Sequence, residues 1–159
     1  MEQAEKKTSS ISVRNLVEFI LRSGDLDNRR LSGAQKDAML AGGRIHRKIQ
    51  KRMGVGYQAE VFLRHQETEP EEGLTLLVEG RADGIFEEDG QWYIDEIKGM
   101  YADVARFSEP FPLHLAQAMC YGYFYCCDHE LEQIGIQLTY CSLETEEIKR
   151  FRSQHTRAE

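Results

Sequence analysis

The sequence predicts one α/β domain, in which a mixed central sheet of about four to five strands has helices on both sides. Two periodicities support this prediction, because apolar residues recur at helical spacing in some segments and alternate with polar residues in others. A third observation is the Asp89-Gly90 pair between two alternating segments, which is typical of a tight β-hairpin turn. The helical segments are 13–22, 32–53 and 113–127, and the strand segments are 57–65, 74–86, 91–98 and 131–142.

Local signals mark the start and the end of the first helix. Ser12 can cap it, and Ile11 and Leu16 stand at the hydrophobic-staple positions around that cap. Gly24 is expected to end the helix, and residues 23–31 are expected to form a loop. The apolar stripe of this helix is predicted to contain Val13, Leu16, Val17, Ile20 and Leu21.

The length and composition are typical of a soluble globular domain. The chain has 159 residues, of which 41% are hydrophobic and 30% charged. The sequence contains neither an apolar run of the roughly 18 residues that a membrane helix needs nor a signal-peptide core, so we expect a cytoplasmic protein with no membrane partner. Residues 1–10 are predicted to be a disordered leader, residues 11–152 the domain, and residues 153–159 a polar tail or linker.

Charge is distributed unevenly along the chain. The net charge is −7, but residues 1–52 hold 12 Lys and Arg against 6 Asp and Glu, whereas residues 53–159 hold 8 against 21. The second helix concentrates basic residues, which predicts contact with nucleic-acid phosphates. A solvated helix face is the alternative. The predicted nucleic-acid contacts are Arg44, Arg47, Lys48, Lys51 and, in the long connection after residue 98, Arg106.

Strand periodicity places a carboxylate and an ammonium group together at the end of the second hairpin strand. Residues two apart share a face, so Glu96 and Lys98 lie on the face of Ile94, whereas Asp95 points to the other face. Asp83, near the end of the neighbouring strand, supplies a second carboxylate. Hard oxygen ligands of this kind suit Mg²⁺ or Mn²⁺.

Two further groups of residues stand on helices. His46 is predicted to face inward, one turn after Gly42 and Gly43, which would let another element or a nucleic-acid backbone approach closely. Gln117 and Tyr121 are four residues apart and share a helix face. Taken alone, each of these side chains is better explained by an ordinary place in the core.

The sequence resembles the RecB-type branch of the PD-(D/E)XK nuclease superfamily. The resemblance rests on GGRIHRKIQ, on Asp83 followed by the strand ending Glu96-Ile97-Lys98, and on HLAQAMCYGY with its Gln-x-x-x-Tyr spacing. It covers roughly residues 32–142, with the motifs in the order that the family has. It implies a restriction-endonuclease-like core and a metal-dependent DNA nuclease, exonuclease-like on single strands or ends.

The resemblance also implies roles for individual residues. Asp83, Glu96, the backbone carbonyl of Ile97 and His46 would bind the cation, and Lys98 would orient a water and stabilise negative charge. Gln117 and Tyr121 would position the strand or the lysine.

The start and the polar end of the chain are similar to the nuclease domain of DinG/XPD-like helicases, which implies a helicase domain as a partner in a longer chain.

Two other functional hypotheses remain open on sequence grounds. One is a catalytically inactive nucleic-acid-binding module of the same fold, and the other is an interaction domain without a nucleic-acid role, which the net negative charge favours. An iron–sulfur cluster is not expected, because Cys120, Cys126, Cys127 and Cys141 lack the spacing of thiolate clusters. Buried free thiols are the interpretation that we adopt.

Overall fold

The computed structural model describes residues 7–21 and 33–159. The elements in chain order are β1 (Lys7–Ser12), α1 (Val13–Leu21), α2 (Gly33–Arg52), β2 (Gln58–Glu69), β3 (Leu74–Glu88), β4 (Gln91–Met100), a 3₁₀ turn (Val104–Arg106), α3 (Pro112–His129), β5 (Gln133–Ser142) and β6 (Ile148–Thr156).

The strands form one mixed sheet of six strands, in the order β1-β3-β4-β5-β6, with β2 along the other edge of β3. β1 runs parallel to β3 and β5 runs parallel to β4, whereas the β2–β3, β3–β4 and β5–β6 pairs are antiparallel. The prediction of a mixed α/β sheet is therefore confirmed, with six strands rather than four to five.

Helices cover both faces of the sheet. On one face, α1 and α3 bury Val13, Val17 and Phe124 against Ile94 and neighbouring strand residues. On the other face, α2 packs Ile45 and Ile49 against Ile97 and Cys141. Since Ile94 and Ile97 lie on opposite faces of β4, both faces of the central strands are buried, and a charged side chain there needs a partner.

Several local predictions are confirmed. The hydroxyl of Ser12 accepts a hydrogen bond from the Asn15 N–H at 3.1 Å, as an N-cap does. Asp89 and Gly90 have φ angles of 53° and 77°, so the hairpin turn uses the left-handed conformations that this pair tolerates. The ends of α2, α3, β4 and β5 lie within two residues of the predicted boundaries.

Other predictions were wrong at the ends of the chain. Residues 7–10 of the predicted leader belong to β1, which pairs with β3 from Lys7 onward. Residues 153–156 of the predicted tail continue β6, which begins at Ile148. Residues 1–6, Gly24 and the rest of the predicted loop 23–31 lie outside the described residues.

The predicted apolar stripe of α1 is buried only in part. Val13 and Val17 are buried and Leu16 is half-buried, but Ile20 and Leu21 are 66% and 45% exposed. The core on this face therefore ends one turn before the helix does.

Candidate active site

One edge of β3 is shared by two strands, and a gap lies between them. β1 pairs with β3 as far as Glu79, and β4 pairs with β3 from Gly84 onward. Residues 80–83 therefore have neither β1 nor β4 beside them, and the last part of β4 diverges from β3. We call this opening the β3 gap. Crevices where neighbouring strands diverge are common places for ligands in α/β proteins.

Asp83 stands at the end of the β3 gap and joins its two sides. Its Oδ2 atom accepts a hydrogen bond of 2.7 Å from the Ile97 N–H, which replaces the strand pairing lost there. Its Oδ1 atom lies 3.5 Å from Nδ1 of His46, on α2. In a strand the N–H and C=O groups of one residue point the same way, so the Ile97 carbonyl faces the β3 gap as well.

Glu96 and Lys98 reach the same place from β4. Nζ of Lys98 lies 3.3 Å from Oε1 of Glu96, and the lysine side chain is 26% exposed whereas that of Glu96 is 8% exposed. Oε2 of Glu96 is buried without a hydrogen-bond partner among the described residues. The carboxyl groups of Asp83 and Glu96 are in contact, and both are buried. We call Asp83, Glu96 and Lys98 the carboxylate–lysine site.

Burial dominates the electrostatics of this site. It raises the pKa of Glu96 well above its ordinary value, and the adjacent Asp83 carboxylate raises it further, while Lys98 opposes the rise. Burial also raises the pKa of Asp83, against the opposing effects of His46 and of the Ile97 N–H. Two buried carboxyl groups in contact with one lysine leave an excess of negative charge when both are ionised.

α3 brings Gln117 and Tyr121 toward the β3 gap. Both side chains are buried, and Oε1 of Gln117 has no hydrogen-bond partner among the described residues. The Tyr121 hydroxyl lies against the backbone of Gly80, where an added Cβ would sit 2.7 Å from it, so only glycine leaves room for the phenol. Burial, together with the charges of Glu96 and Asp83, raises the pKa of Tyr121.

A glutamine of α2 contacts the backbone of Asp83. Nε2 of Gln50 donates hydrogen bonds to the Asp83 carbonyl at 2.8 Å and to Oε1 of Glu60 at 2.9 Å. Glu60 stands opposite Asp83 on β2, where the pairing is interrupted, and it has a φ of 54°. Together with His46, Gln50 ties α2 to both the side chain and the main chain of Asp83. Glu60 is exposed and bonds this glutamine, not the carboxylate–lysine site.

A histidine of α3 approaches Lys98 through a tyrosine of β5. Tyr140 is the partner of Lys98 in the β4–β5 register, and its hydroxyl lies 2.9 Å from Nδ1 of His114. The same hydroxyl accepts a hydrogen bond of 3.0 Å from the Phe111 N–H. The sequence reasoning missed His114, Tyr140 and Gln50. His114 precedes Gln117 by three residues and Gln50 follows His46 by four, and these spacings were the available signals.

The opposite face of β4 carries a second buried carboxylate. Asp95 accepts hydrogen bonds from the hydroxyls of Tyr57 and Thr139, both at 2.7 Å, and from Nε2 of Gln137 at 3.2 Å. Burial raises the pKa of Asp95, and these hydrogen bonds oppose the rise. The network holds the start of β2 against β4 and β5, which agrees with a structural and not a catalytic place for Asp95.

The predicted nucleic-acid contacts do not form one cluster. Arg44, Arg47 and Lys51 are exposed on α2, and Lys48 pairs with Glu146 at 2.6 Å. Arg106 follows β4 in the 3₁₀ turn and pairs with Asp103 at 3.2 Å. The predicted contacts on α2 lie on its outer side, whereas its inner side carries Ile45, Ile49 and His46.

Gly42 takes part in the close packing of α2 on β4. A Cβ added to Gly99, the residue after Lys98, would lie 3.4 Å from the Cα of Gly42. A Cβ on Gly42 itself would meet no described atom within 4 Å. The end of β4 therefore comes near Gly42, but a Cβ on Gly43 would meet only the Arg47 side chain, at 3.6 Å, so the prediction that these two glycines are needed for a close approach is not confirmed.

Three more observations concern metals, cysteines and membranes. Among residues 7–21 and 33–159, no group of three or more His, Cys, Asp or Glu side chains is arranged to hold a metal ion. The cysteines are free thiols, with Cys126 and Cys141 buried on opposite sheet faces and Cys120 and Cys127 half-buried. None of the described helices is long and apolar enough to cross a membrane.

Comparisons with known proteins support the fold of the chain but do not assign it to a family. No protein-family model matches the chain, and no curated protein matches it with significant similarity. Among solved structures, it is similar to the crystal structure of SSO0001, with a TM-score of 0.60 and 19% identity, over 96% of this chain and 69% of that one. The chain has a mixed α/β fold. At this identity the similarity concerns the fold alone.

Proposed function

We propose that this protein is a Mg²⁺- or Mn²⁺-dependent DNA nuclease with the PD-(D/E)XK core of the RecB-type branch. One observation carries the proposal: two buried carboxyl groups from different strands meet beside a lysine at an opening in the sheet. Such a cluster weakens a hydrophobic core unless something compensates its charge. Two carboxylates that can hold a divalent cation beside a lysine are a combination that suits phosphodiester hydrolysis.

The residue types at this opening suit a hard divalent cation, although the described residues hold no group of three His, Cys, Asp or Glu already arranged around one. Glu96 Oε2 is buried without a hydrogen-bond partner among the described residues, and Asp83 offers a second carboxylate in contact with it. Nδ1 of His46 lies on the α2 side of the same opening, and the Ile97 carbonyl faces the opening from β4. A bound cation would polarise the scissile phosphate and lower the pKa of a water.

The side chains around the cation site would have distinct tasks. Lys98 is held by Glu96 and remains partly exposed, so it can orient a water and stabilise negative charge that develops on the phosphate. Gln117 and Tyr121 line the α3 side, where the orphaned amide oxygen and the phenol can position the nucleic-acid strand or Lys98. Asp83 is kept in place by the Ile97 N–H and, through its carbonyl, by Gln50.

The substrate would be DNA, attacked in an exonuclease-like manner on single strands or at ends. The exposed Arg44, Arg47 and Lys51 would attract its phosphates, with Arg106 after β4 as a further contact. The resemblance of residues 13–27 to the nuclease domain of DinG/XPD-like helicases leads us to propose a helicase domain as a partner.

Replacement of Lys98 by alanine tests the proposal. We expect Lys98→Ala to lower Mn²⁺-dependent cleavage of end-labelled DNA by at least about 100-fold, since it removes the group that stabilises developing charge. Lys7→Ala is the matched control, because Lys7 is exposed and pairs with Leu74, at the opposite end of β3 from Asp83. Thermal unfolding should give similar midpoints for both variants.

Two outcomes would contradict the proposal in different ways. Cleavage by Lys98→Ala at the wild-type rate, for both single- and double-stranded DNA, would refute the assignment of this lysine. DNA binding by the wild type without Mn²⁺ binding, measured by calorimetry, would instead favour the inactive nucleic-acid-binding module.

A further inference from the structure

We infer that His114 is a further substrate-contacting residue of this site, and that its Nε2–H group donates a hydrogen bond to the phosphodiester beside Lys98. The inference rests on the proposed function, because it assigns the phosphodiester as the ligand. It adds a neutral donor to the carboxylate–lysine site, on the α3 side of the opening.

The position of His114 follows from the register of the sheet. Tyr140 is the parallel-ladder partner of Lys98, so the two side chains leave the same sheet face on adjacent strands. The Tyr140 hydroxyl then holds Nδ1 of His114 at 2.9 Å. His114 also precedes Gln117 by three residues, which places it on the site-facing side of α3.

The hydrogen bonds of Tyr140 select one tautomer of His114. Tyr140 is fully buried, and its oxygen already accepts the Phe111 N–H at 3.0 Å. Its own proton needs an acceptor, since buried hydroxyl groups are satisfied in nearly all proteins. Nδ1 of His114 is the acceptor that the described residues provide. The ring proton of the neutral imidazole is therefore on Nε2.

The surroundings keep this imidazole neutral. Burial lowers the pKa of His114 to about 4, and the neighbouring Lys98 charge acts in the same direction. A second cation beside Lys98 is thus avoided, while a donor for a phosphate oxygen is retained. The ring packs edge-on against Phe111 and at a tilt against Tyr140, with centroids 5.4 and 5.6 Å away, so little side-chain freedom is lost on binding.

The tautomer can be tested without any activity. Long-range ¹H–¹⁵N spectra of the wild type at pH 7 should assign the His114 proton to Nε2, and Tyr140→Phe should shift the ring toward a mixture of tautomers. A proton on Nδ1 in the wild type would overturn the inference.

The contact itself is tested by cleavage kinetics. We expect His114→Ala to lower kcat for Mn²⁺-dependent cleavage by about ten- to a hundred-fold with little change in KM, as loss of a hydrogen bond to a charged group would do. His114→Gln, whose amide can place a donor near the Nε2 position, should recover part of that loss. A purely structural role would lower the unfolding midpoint of both variants alike and would give no such recovery.

The outcomes separate the two proposals. Absence of cleavage by the wild type would refute the nuclease proposal, and the His114 contact with it. Cleavage by the wild type, with undiminished kcat in His114→Ala, would overturn the role of His114 alone.

Discussion

Two adjacent acidic residues of β4, Asp95 and Glu96, are both buried but differ in their hydrogen bonding. Glu96 is a buried acid on the same strand face as Ile94, and its Oε2 has no protein partner among the described groups. Asp95, next to it, is more deeply buried and yet fully hydrogen-bonded by Tyr57, Thr139 and Gln137. These adjacent carboxylates on opposite faces of one strand therefore differ: Asp95 is satisfied by hydrogen bonds, whereas Glu96 keeps one oxygen unpaired, where we propose that the cation binds.

The pKa of His114 gives a prediction about stability against pH. Its folded pKa of about 4 is below the ordinary value of 6.5, so the unfolded chain binds more protons between these values. The free energy of unfolding therefore falls as the pH decreases from 6.5 toward 4, because protonation of His114 favours the unfolded chain. His114→Gln should lose less unfolding free energy than the wild type over this range, as measured by urea unfolding. Parallel curves for the two proteins would contradict the prediction.

The sequence was sufficient to predict that Glu96 and Lys98 share a strand face. It did not predict the hydrogen bonds that hold the residues of the site in place. Strand alternation was sufficient to put Glu96 and Lys98 on one face, because the period of a strand is local. The contacts of Asp83 with Ile97 and of Tyr140 with His114 join residues 14 and 26 positions apart. No local pattern encodes such register, so these contacts had to come from the fold.

At the scale of elements, the end of α3 carries a conformational cost. Glu130 follows the helix with φ 53° and ψ 43°, a left-handed conformation that glycine adopts without strain. The Glu130 N–H and the Leu131 N–H both bond the Cys126 carbonyl, so the turn itself is well formed. The Glu130 side chain is exposed, so its replacement by glycine removes no buried packing.

Glu130→Gly should therefore stabilise the protein by about 1 kcal/mol, because it removes the left-handed penalty at an exposed helix end. Chemical denaturation at neutral pH measures the change. Asp128→Gly is the control, since it places glycine in the last turn of the same helix, where a loss of up to about 1 kcal/mol is expected. Equal effects of the two substitutions would refute this account of the α3 terminus.

The elements that sequence reasoning missed are those with weak apolar patterns. β1 reads KTSSIS, and of its six residues only Ile11 is half-buried, so nothing in the segment itself distinguishes it from a polar leader. It becomes a strand through parallel pairing with β3, more than sixty residues away. β6 is an edge strand with exposed and half-buried residues in alternation, and its last residues resemble a tail for the same reason.

For the whole molecule, the charge asymmetry predicts how DNA would bind. The first third of the chain is basic and the remainder acidic, and the exposed Arg44, Arg47 and Lys51 lie on α2, the helix that also brings His46 to Asp83. An acidic protein can bind a polyanion through such a local surface, because salt screens charges beyond about 8–10 Å.

The triple substitution of these three residues by alanine should weaken DNA binding and reduce its salt dependence. Each lost phosphate contact lowers the slope of log K against log salt by about 0.7–0.9, so a total change of about 2 to 3 is expected. Fluorescence anisotropy at several salt concentrations measures it. Arg157→Ala serves as the control, since Arg157 pairs with Glu132 at the start of β5, at the end of that strand away from Lys98. An unchanged slope in the triple variant would exclude α2 as the binding surface.

Because of the β3 gap, a substitution of Asp83 would affect the stability of the sheet as well as the proposed site. In many enzymes the polar groups of the active site lower the stability of the fold, and substitutions that remove them raise it. Here the Ile97 amide has given up a ladder partner and has the Asp83 carboxylate in its place. Replacement of Asp83 by a residue without an acceptor would leave the buried Ile97 N–H unpaired where β3 and β4 part, so the sheet would lose stability together with the catalysis that we propose.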